Sequence, residues 1–392
     1  MLGFGGSLFS VLVIGALIFS LAKLASGRLS LPTERMPYSI AVAGLGYYAS
    51  GALMVVLDRD GANLPLLWER APFLCFLPLL LQLSLTDNRQ LRWGLEAGAL
   101  VGAFGLAAWI VAEIAMWPSA LSAFRAQGPL GNSGPLATTA AFLFAINLYA
   151  IESGAVRKRV ACAVAAFLSA LVLALSGMRT LFPALIIVPL LFLAMFPDAR
   201  RVALRPAPIA VIVAMTALFA AIGGPTIAAR VQDLIALATD NRLLPTATDS
   251  LGQRIALWEC AQGAIADAPL FGLGRASAQE FMAECTLQLT GQALSFSHFH
   301  NAVLTAMAFG GIIELVAIST MMLLPIYWVW RTRKVAEAGY GRALILALSV
   351  IFGLNGLTNL MLDHDIHDTL FIHATTVGLA MMAHRTPQMR KG

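Results

Sequence analysis

SHFHN (297–301) opens the apolar run AVLTAMAFGGIIELVAISTMMLLPIYWVW (302–330), whose single charge is Glu314. About 20 apolar residues in a helix cross the hydrocarbon of a bilayer, so this run reads as a membrane span with titratable groups at its mouth. Ionisable side chains at that depth are costly and tend to be functional. Two histidines and an amide admit three readings: a catalytic base, a metal site or an ordinary interfacial pair.

The pattern recurs along the whole chain. Of its 392 residues 59% are hydrophobic and 12% charged, about half the charged share of roughly 25% in soluble domains. That composition excludes a soluble enzyme and predicts an all-α polytopic membrane protein. About eleven helices are expected, at 7–24, 38–57, 68–85, 93–116, 135–151, 158–175, 180–196, 207–222, 302–330, 343–362 and 370–384. The ninth is long enough to include an interfacial turn. The region Met1–Leu24 lacks a basic start and a small-residue cleavage site, and so reads as a first membrane helix.

Basic residues set the expected orientation. Segments 23–37, 86–92, 152–159, 197–206, 331–342 and 385–392 hold eighteen of the 26 Lys and Arg, with all four lysines. The other face holds Arg59, Arg70, Arg125, Arg179, Arg230, Arg242, Arg254 and Arg275. The lysine-bearing face is therefore expected inside, with the N-terminus outside and the C-terminus inside. The chain then divides into helices 1–8 (1–222), a large outer loop (223–301) and helices 9–11 (302–392).

That loop carries helix signals of its own. Ser250-x-x-Gln253 resembles a capping box before Ile255, Trp258 and Ile265, and Ser277-x-x-Glu280 repeats it before Phe281 and Met282. Ala268–Gly274, with its Pro and Gly, separates the two helices. A helical cap is expected. Cys75 and Cys162 lie in apolar spans and read as small buried hydrophobes. Cys260 and Cys285 lie in the loop, where they can pair if it faces an oxidising compartment. Sequence does not supply the Cα geometry that such a bond needs.

Three charged features share the outer face: Arg179 in the turn Ser176-Gly177-Met178-Arg179, Arg254 in the first cap helix, and His298 and His300 where the cap re-enters the membrane. Each alone has an ordinary reading: an interfacial or solvated arginine, a hydrogen-bonding histidine. Together they fit a particular chemistry. Guanidinium forks suit a diphosphate and keep their charge, and a histidine of near-neutral pKa suits removal of a proton from an attacking hydroxyl.

The motifs resemble those of the O-antigen ligase and polymerase family of bacterial membrane glycosyltransferases. His300-Asn301, followed by Gly310-Gly311-Ile312-Ile313, resembles the family's His-Asn, nine residues, Gly signature at the end of its large periplasmic loop. Arg254-x-x-x-Trp258 and Pro269-Leu270-Phe271-Gly272-Leu273-Gly274 resemble its upstream loop pattern, Ser176-x-x-Arg179 its arginine turn, and Gly131–Ala137 a degraded Asn-Pro-Asn turn. The resemblance covers roughly residues 125–330. Glu314 departs from it, standing where the family usually has a small or hydroxyl residue, and eleven helices are one fewer than usual.

The resemblance implies a GT-C-like fold in the bacterial inner membrane and an inverting, metal-independent, cofactor-free transfer. The donor is a glycan on undecaprenyl diphosphate; the acceptor is lipid A–core or a growing glycan. It also implies contact with membrane lipids and none with nucleic acid. His300 would be the base and Arg179 and Arg254 the diphosphate ligands, with His298, Asn301 and Arg275 as further substrate contacts.

Other polar groups compete. In Asp363–Asp368, His364, His367 and Asp368 have types and spacing that suit a divalent ion; a short hydrated turn is the favoured reading, and a border of the acceptor site a third. Asp58-Arg59-Asp60 has the Asp-x-Asp form of other glycosyltransferases but reads as a solvated loop. Glu96, Glu113 and Glu314 lie in or near spans and invite a lipid-linked oligosaccharide transporter instead. No pair of matching broken helices supports that alternative.

Overall fold

The computed structural model describes residues 18–27, 35–57, 61–83, 86–116, 124–152, 155–197, 250–335 and 338–383, with a few isolated positions elsewhere. The expected helix at 207–222, the Asp58–Asp60 motif, Arg230 and Arg242 lie outside the described residues. Among those described the secondary structure is helical, with no strand. Among the described residues, after a helical stretch over 18–25, the α-helices follow in order: α1 (Arg35–Leu57), α2 (Leu66–Glu69), α3 (Phe76–Leu83), α4 (Asn88–Met116), α5 (Ser133–Ala150), α6 (Val156–Leu175), α7 (Ala184–Met195), α8 (Ser250–Asp267), α9 (Arg275–Thr290), α10 (Ala302–Arg331), α11 (Gly339–Gly356) and α12 (Asp365–Ala383).

Five of them, α1, α4, α6, α10 and α11, are long and apolar enough to cross a membrane. Large apolar side chains point outward, with Val56 80% and Val101 73% exposed, as expected where the surrounding medium is lipid. The protein is a polytopic membrane protein.

The chain forms two compact units. The first combines Met1–Gln82, Leu237–Trp328 and Asn355–Thr376; the second combines Leu83–Ala236, Val329–Leu354 and Val377–Gly392. In the second unit α5 is the central helix, buried along most of its length between α4, α6 and α7. Glu96 of α4 accepts from Arg92 Nε (2.8 Å) and Lys158 Nζ (2.6 Å), and Arg92 also reaches Glu152 (2.9 Å). Glu113 accepts from the backbone of Gln127 and Gly128 (3.0 and 3.1 Å).

In the first unit, α1 buries a stripe of Ile40, Gly44, Tyr47, Gly51 and Met54, spaced by three and four residues as one helical face requires. The segment expected as one helix over 68–85 packs on this stripe, but it is broken. It runs as α2, a 3₁₀ turn (Ala71–Cys75) and α3. Pro72 lacks an N–H for a continuous α-helical ladder, and the break turns Arg70 inward, where it is 1% exposed. Gly44 and Gly51 make room: a Cβ on Gly51 would stand 2.9 Å from Arg70 Cδ.

The cap helices α8 and α9 share a buried core with α1, α2 and the head of α10. It comprises Met54, Leu66, Leu257, Ala261, Ala264, Ala278, Met282, Phe299 and Phe309. Cys260 and Cys285 are disulfide-bonded, with Cα atoms 5.8 Å apart, which supplies the geometry that sequence left open. The expected break at Ala268–Gly274 is present, but α9 begins at Arg275 rather than Ser277. Its first turn is capped from outside, Asn63 Oδ1 accepting from Ala276 N (3.3 Å).

Candidate active site

His300 stands at the head of α10 in a left-handed backbone conformation (φ 51°). Among the described residues only Asp363 shares that property outside glycine (φ 67°). Such strain persists only where surrounding structure over-determines it. Asn301 ends the strained segment as an N-cap, its Oδ1 accepting from Val303 N and Leu304 N (3.0 Å each). Its Nδ2 donates to Leu357 O (3.3 Å), in the return between α11 and α12.

That return meets both histidines. The His300 ring donates to the backbone of Thr358, and the side chain of Asn359 faces His298, whose Nδ1 pairs with Ser297 Oγ (2.9 Å). The rings of His298 and His300 are 4.5 Å apart, and Phe296 stacks edge-on to His300 at 4.9 Å. Trp258 of α8 donates its indole N–H to His300 O (3.4 Å). Fixing one ring nitrogen as a donor leaves the other as an acceptor, the state a base needs.

The electrostatics agree with that state. Burial, then the nearby Arg254 guanidinium, hold His300 below its ordinary pKa. Burial pushes His298 down to about 3, with His300, His364 and Arg275 adding to the effect. Both imidazoles are therefore neutral at pH 7. Arg254, from α8, and Arg275, from the first turn of α9, supply the fixed positive charge around them. Arg275 Nη1 is paired with Glu69 Oε2 (2.5 Å).

Arg179 belongs to the second unit. It opens a 3₁₀ turn, Arg179–Leu181, after Gly177 (φ 70°). Ser176 shapes this turn by accepting from Met178 N (3.3 Å), and Arg125 Nε donates to Ser176 O (3.1 Å). In the Gly131–Ala137 stretch, Asn132 Oδ1 caps α5 by accepting from Gly134 N (3.0 Å).

The two glycine motifs interlock within the first unit. Gly311 breaks α10 with φ 64° and ψ −156°, a region essentially closed to other residues. Ile312 N donates to Pro269 O (3.0 Å), Leu273 N to Ala308 O (2.9 Å) and Gly274 N to Phe309 O (2.8 Å). A Cβ on Gly311 would collide with the Leu270 carbonyl, and one on Gly272 with that of Phe309. The turn after α8 is thus sewn to the helix that His300 opens.

In sequence Arg70 is one more outer-face arginine, whereas in the structure every guanidinium nitrogen is engaged. Nε and Nη2 donate to Asp363 (2.9 and 2.7 Å), Nη1 and Nη2 to Glu314 (2.9 and 2.6 Å), and Nη1 also to Ser50 Oγ (2.9 Å). Tyr47 lies under the guanidinium at 4.3 Å and donates its hydroxyl to Asp363 Oδ1 (2.7 Å). Glu314, anomalous in sequence, is the counter-ion. The break in α2–α3 around Arg70 was the one local signal.

The Asp363–Asp368 stretch is consequently not a hydrated turn. Asp363 is committed to Arg70 and Tyr47, and Asp368, 3% exposed, accepts from Asp363 N (3.0 Å). The rings of His364 and His367 lie 5.1 Å apart, tilted by 40°. Among the described residues no group of three or more His, Cys, Asp or Glu is placed to hold a metal ion. His373 Nδ1 lies 2.9 Å from Thr369 O of its own helix.

Residues 164–319 match the family model described as O-antigen ligase. The match covers less than half of the chain, so it shows a similarity to that family over this stretch, which spans Arg179, Arg254, Arg275, His298, His300, Gly311 and Glu314. Members of this family are glycosyltransferase-like enzymes, ligases and polymerases. A comparison with curated proteins gave no match.

Proposed function

We propose that the protein is an inverting glycosyltransferase of the O-antigen ligase type. It moves a glycan from undecaprenyl diphosphate to a hydroxyl of lipid A–core at the periplasmic face of the inner membrane. The observation that carries this reading is the half-buried His300 at the head of α10, its pKa lowered by burial and by Arg254 and its ring bonded to the Thr358 backbone.

In this scheme the free ring nitrogen of His300 takes the proton of the acceptor hydroxyl. The oxygen attacks the anomeric carbon from the face opposite the diphosphate, a new C–O bond forms, and the bond to the carrier breaks. The electron pair leaves with the diphosphate, which departs as an anion and needs no general acid when positive charge is already in place. Arg254 receives that charge, with Arg275 beside it and Arg179 in the role that the resemblance implies. Asn301 fixes the backbone at His300, and His298 borders the reacting groups. Guanidinium charge does the work that a metal ion does elsewhere.

The orientation belongs to the same reading: eleven spans, residues 223–301 as a periplasmic cap, the N-terminus periplasmic and the C-terminus cytoplasmic. The Cys260–Cys285 bond supports it, because disulfides persist in oxidising compartments. The acidic residues that invite a transporter each have a structural partner: Glu96 with Arg92 and Lys158, Glu113 with a loop backbone, Glu314 with Arg70.

A deletion strain tests the reaction. Loss of every O-unit from an intact core on a lipopolysaccharide gel is the expected result. Core bearing one repeat assigns the protein as a polymerase of the same fold. A normal ladder contradicts both, and build-up of the lipid-linked unit on the cytoplasmic side supports transport instead.

A further inference from the structure

We propose that Arg70 is a positioning residue for His300, fastening the α11–α12 return and the helix beyond the Gly311 break to one buried guanidinium. The inference rests on the base role proposed for His300. His300 and Asn301 are held from two sides. Behind them runs α10, whose Glu314 lies one turn past Gly311 and is gripped by Arg70 through both carboxylate oxygens. In front of them is the return, whose Leu357, Thr358 and Asn359 contact Asn301, His300 and His298 in that order.

The return is itself anchored. Asn355 Nδ2 donates to Leu360 O (2.6 Å), and Gly356 lies so close to α10 that a Cβ would stand 3.2 Å from Ala302 Cβ. It ends at Asp363, whose carboxylate is held by Arg70 Nε and Nη2 and the Tyr47 hydroxyl. The route from Arg70 to His300 is therefore two short chains of contacts. One passes through Asp363 and the return; the other passes through Glu314 and α10.

A guanidinium is required because it presents two forks to two carboxylates at once, whereas an ammonium is a point charge. A purely structural buried pair has no such requirement, since apolar replacements of similar volume serve as well. His300 is faced by Arg254 and Trp258 from α8, by Phe296 and His298 from its own segment, and by Thr358 from the return; Arg275 and His364 face His298. Releasing the return admits water to this enclosure and removes the Thr358 acceptor.

The test uses the full-length protein in nanodiscs. Donor and acceptor are the lipid-linked glycan and lipid A–core extracted from a strain lacking the protein. Arg70→Lys and Asp363→Asn are expected to lower kcat at least tenfold with donor KM within about twofold. As burial of His300 relaxes, the acid limb of kcat should move up toward pH 6.5. Tyr47→Phe keeps both ion pairs and removes only one hydroxyl contact, so it should fold and shift the limb in the same direction by less; it decides the matter if the other two do not fold. A fall in kcat with an unmoved limb, or unchanged kinetics, overturns the positioning role. His300→Ala separates the two readings: if it is active, the base role fails; if it is inactive while Arg70→Lys or Tyr47→Phe behaves as wild type, only the positioning role fails.

Discussion

Gly311→Ala isolates the contact that sews the cap to α10. The new Cβ would collide with the Leu270 carbonyl, and φ 64°, ψ −156° is closed to alanine without strain. Holding that conformation costs about 1–3 kcal/mol, and at a non-helical φ and ψ alanine gains no helix propensity in return, leaving a net loss of about 2 kcal/mol. At about 2 °C per kcal/mol for a long chain, the unfolding temperature should fall by about 4 °C, read by tryptophan fluorescence in detergent. Gly46→Ala is the control: nothing lies within 4 Å of its Cβ position, so propensity alone should hold or raise stability. If both variants unfold with the wild type, the interlock does not stabilise the protein.

Because burial and Arg254 lower the His300 pKa, its base form is retained at pH 7 and lost only below pH 6.5. Transfer should be flat across neutral pH, and Arg254→Gln should move the acid limb up; a wild-type limb above pH 6.5 contradicts the assignment. His298, at about 3 when folded and ordinarily about 6.5, contributes stability that is complete above pH 6.5. That stability should be lost at up to about 1.4 kcal/mol per pH unit as the pH falls toward 3. A melting temperature flat from pH 6.5 to 4.5 argues against its burial. Replacing both Cys260 and Cys285 by Ser opens a loop of sequence separation 25, for which about 3 kcal/mol of stability should disappear. Free thiols at both positions in protein from untreated membranes would count against the disulfide.

The helical, membrane-spanning character was legible because apolar runs of span length leave few alternatives. Residue type and the shared side put Arg254 and His300 on one face, the family resemblance singled them out, and the fold brings Arg254 near enough to lower the His300 pKa. The interlock of Gly272 with Gly311 was half visible: both motifs stood out, but not that each glycine makes room for the other's backbone. Arg70 was invisible as a hub. Its partners Glu314 and Asp363 lie 244 and 293 residues away, and no local period carries that pairing. The same long-range pairing made Glu314 look like a departure and Asp363 like a solvated turn. Asn63 capping α9 from a distant loop displaced the start expected at Ser277 for the same reason.

The most direct measurement is glycan transfer by folded His300→Ala. The purified variant, with wild-type unfolding temperature, is supplied with the lipid-linked donor and lipid A–core. Loss of a positioned base should slow turnover by about 10²–10⁴-fold with donor binding retained through the arginines. Turnover equal to the wild type would contradict the assignment of His300 as the base.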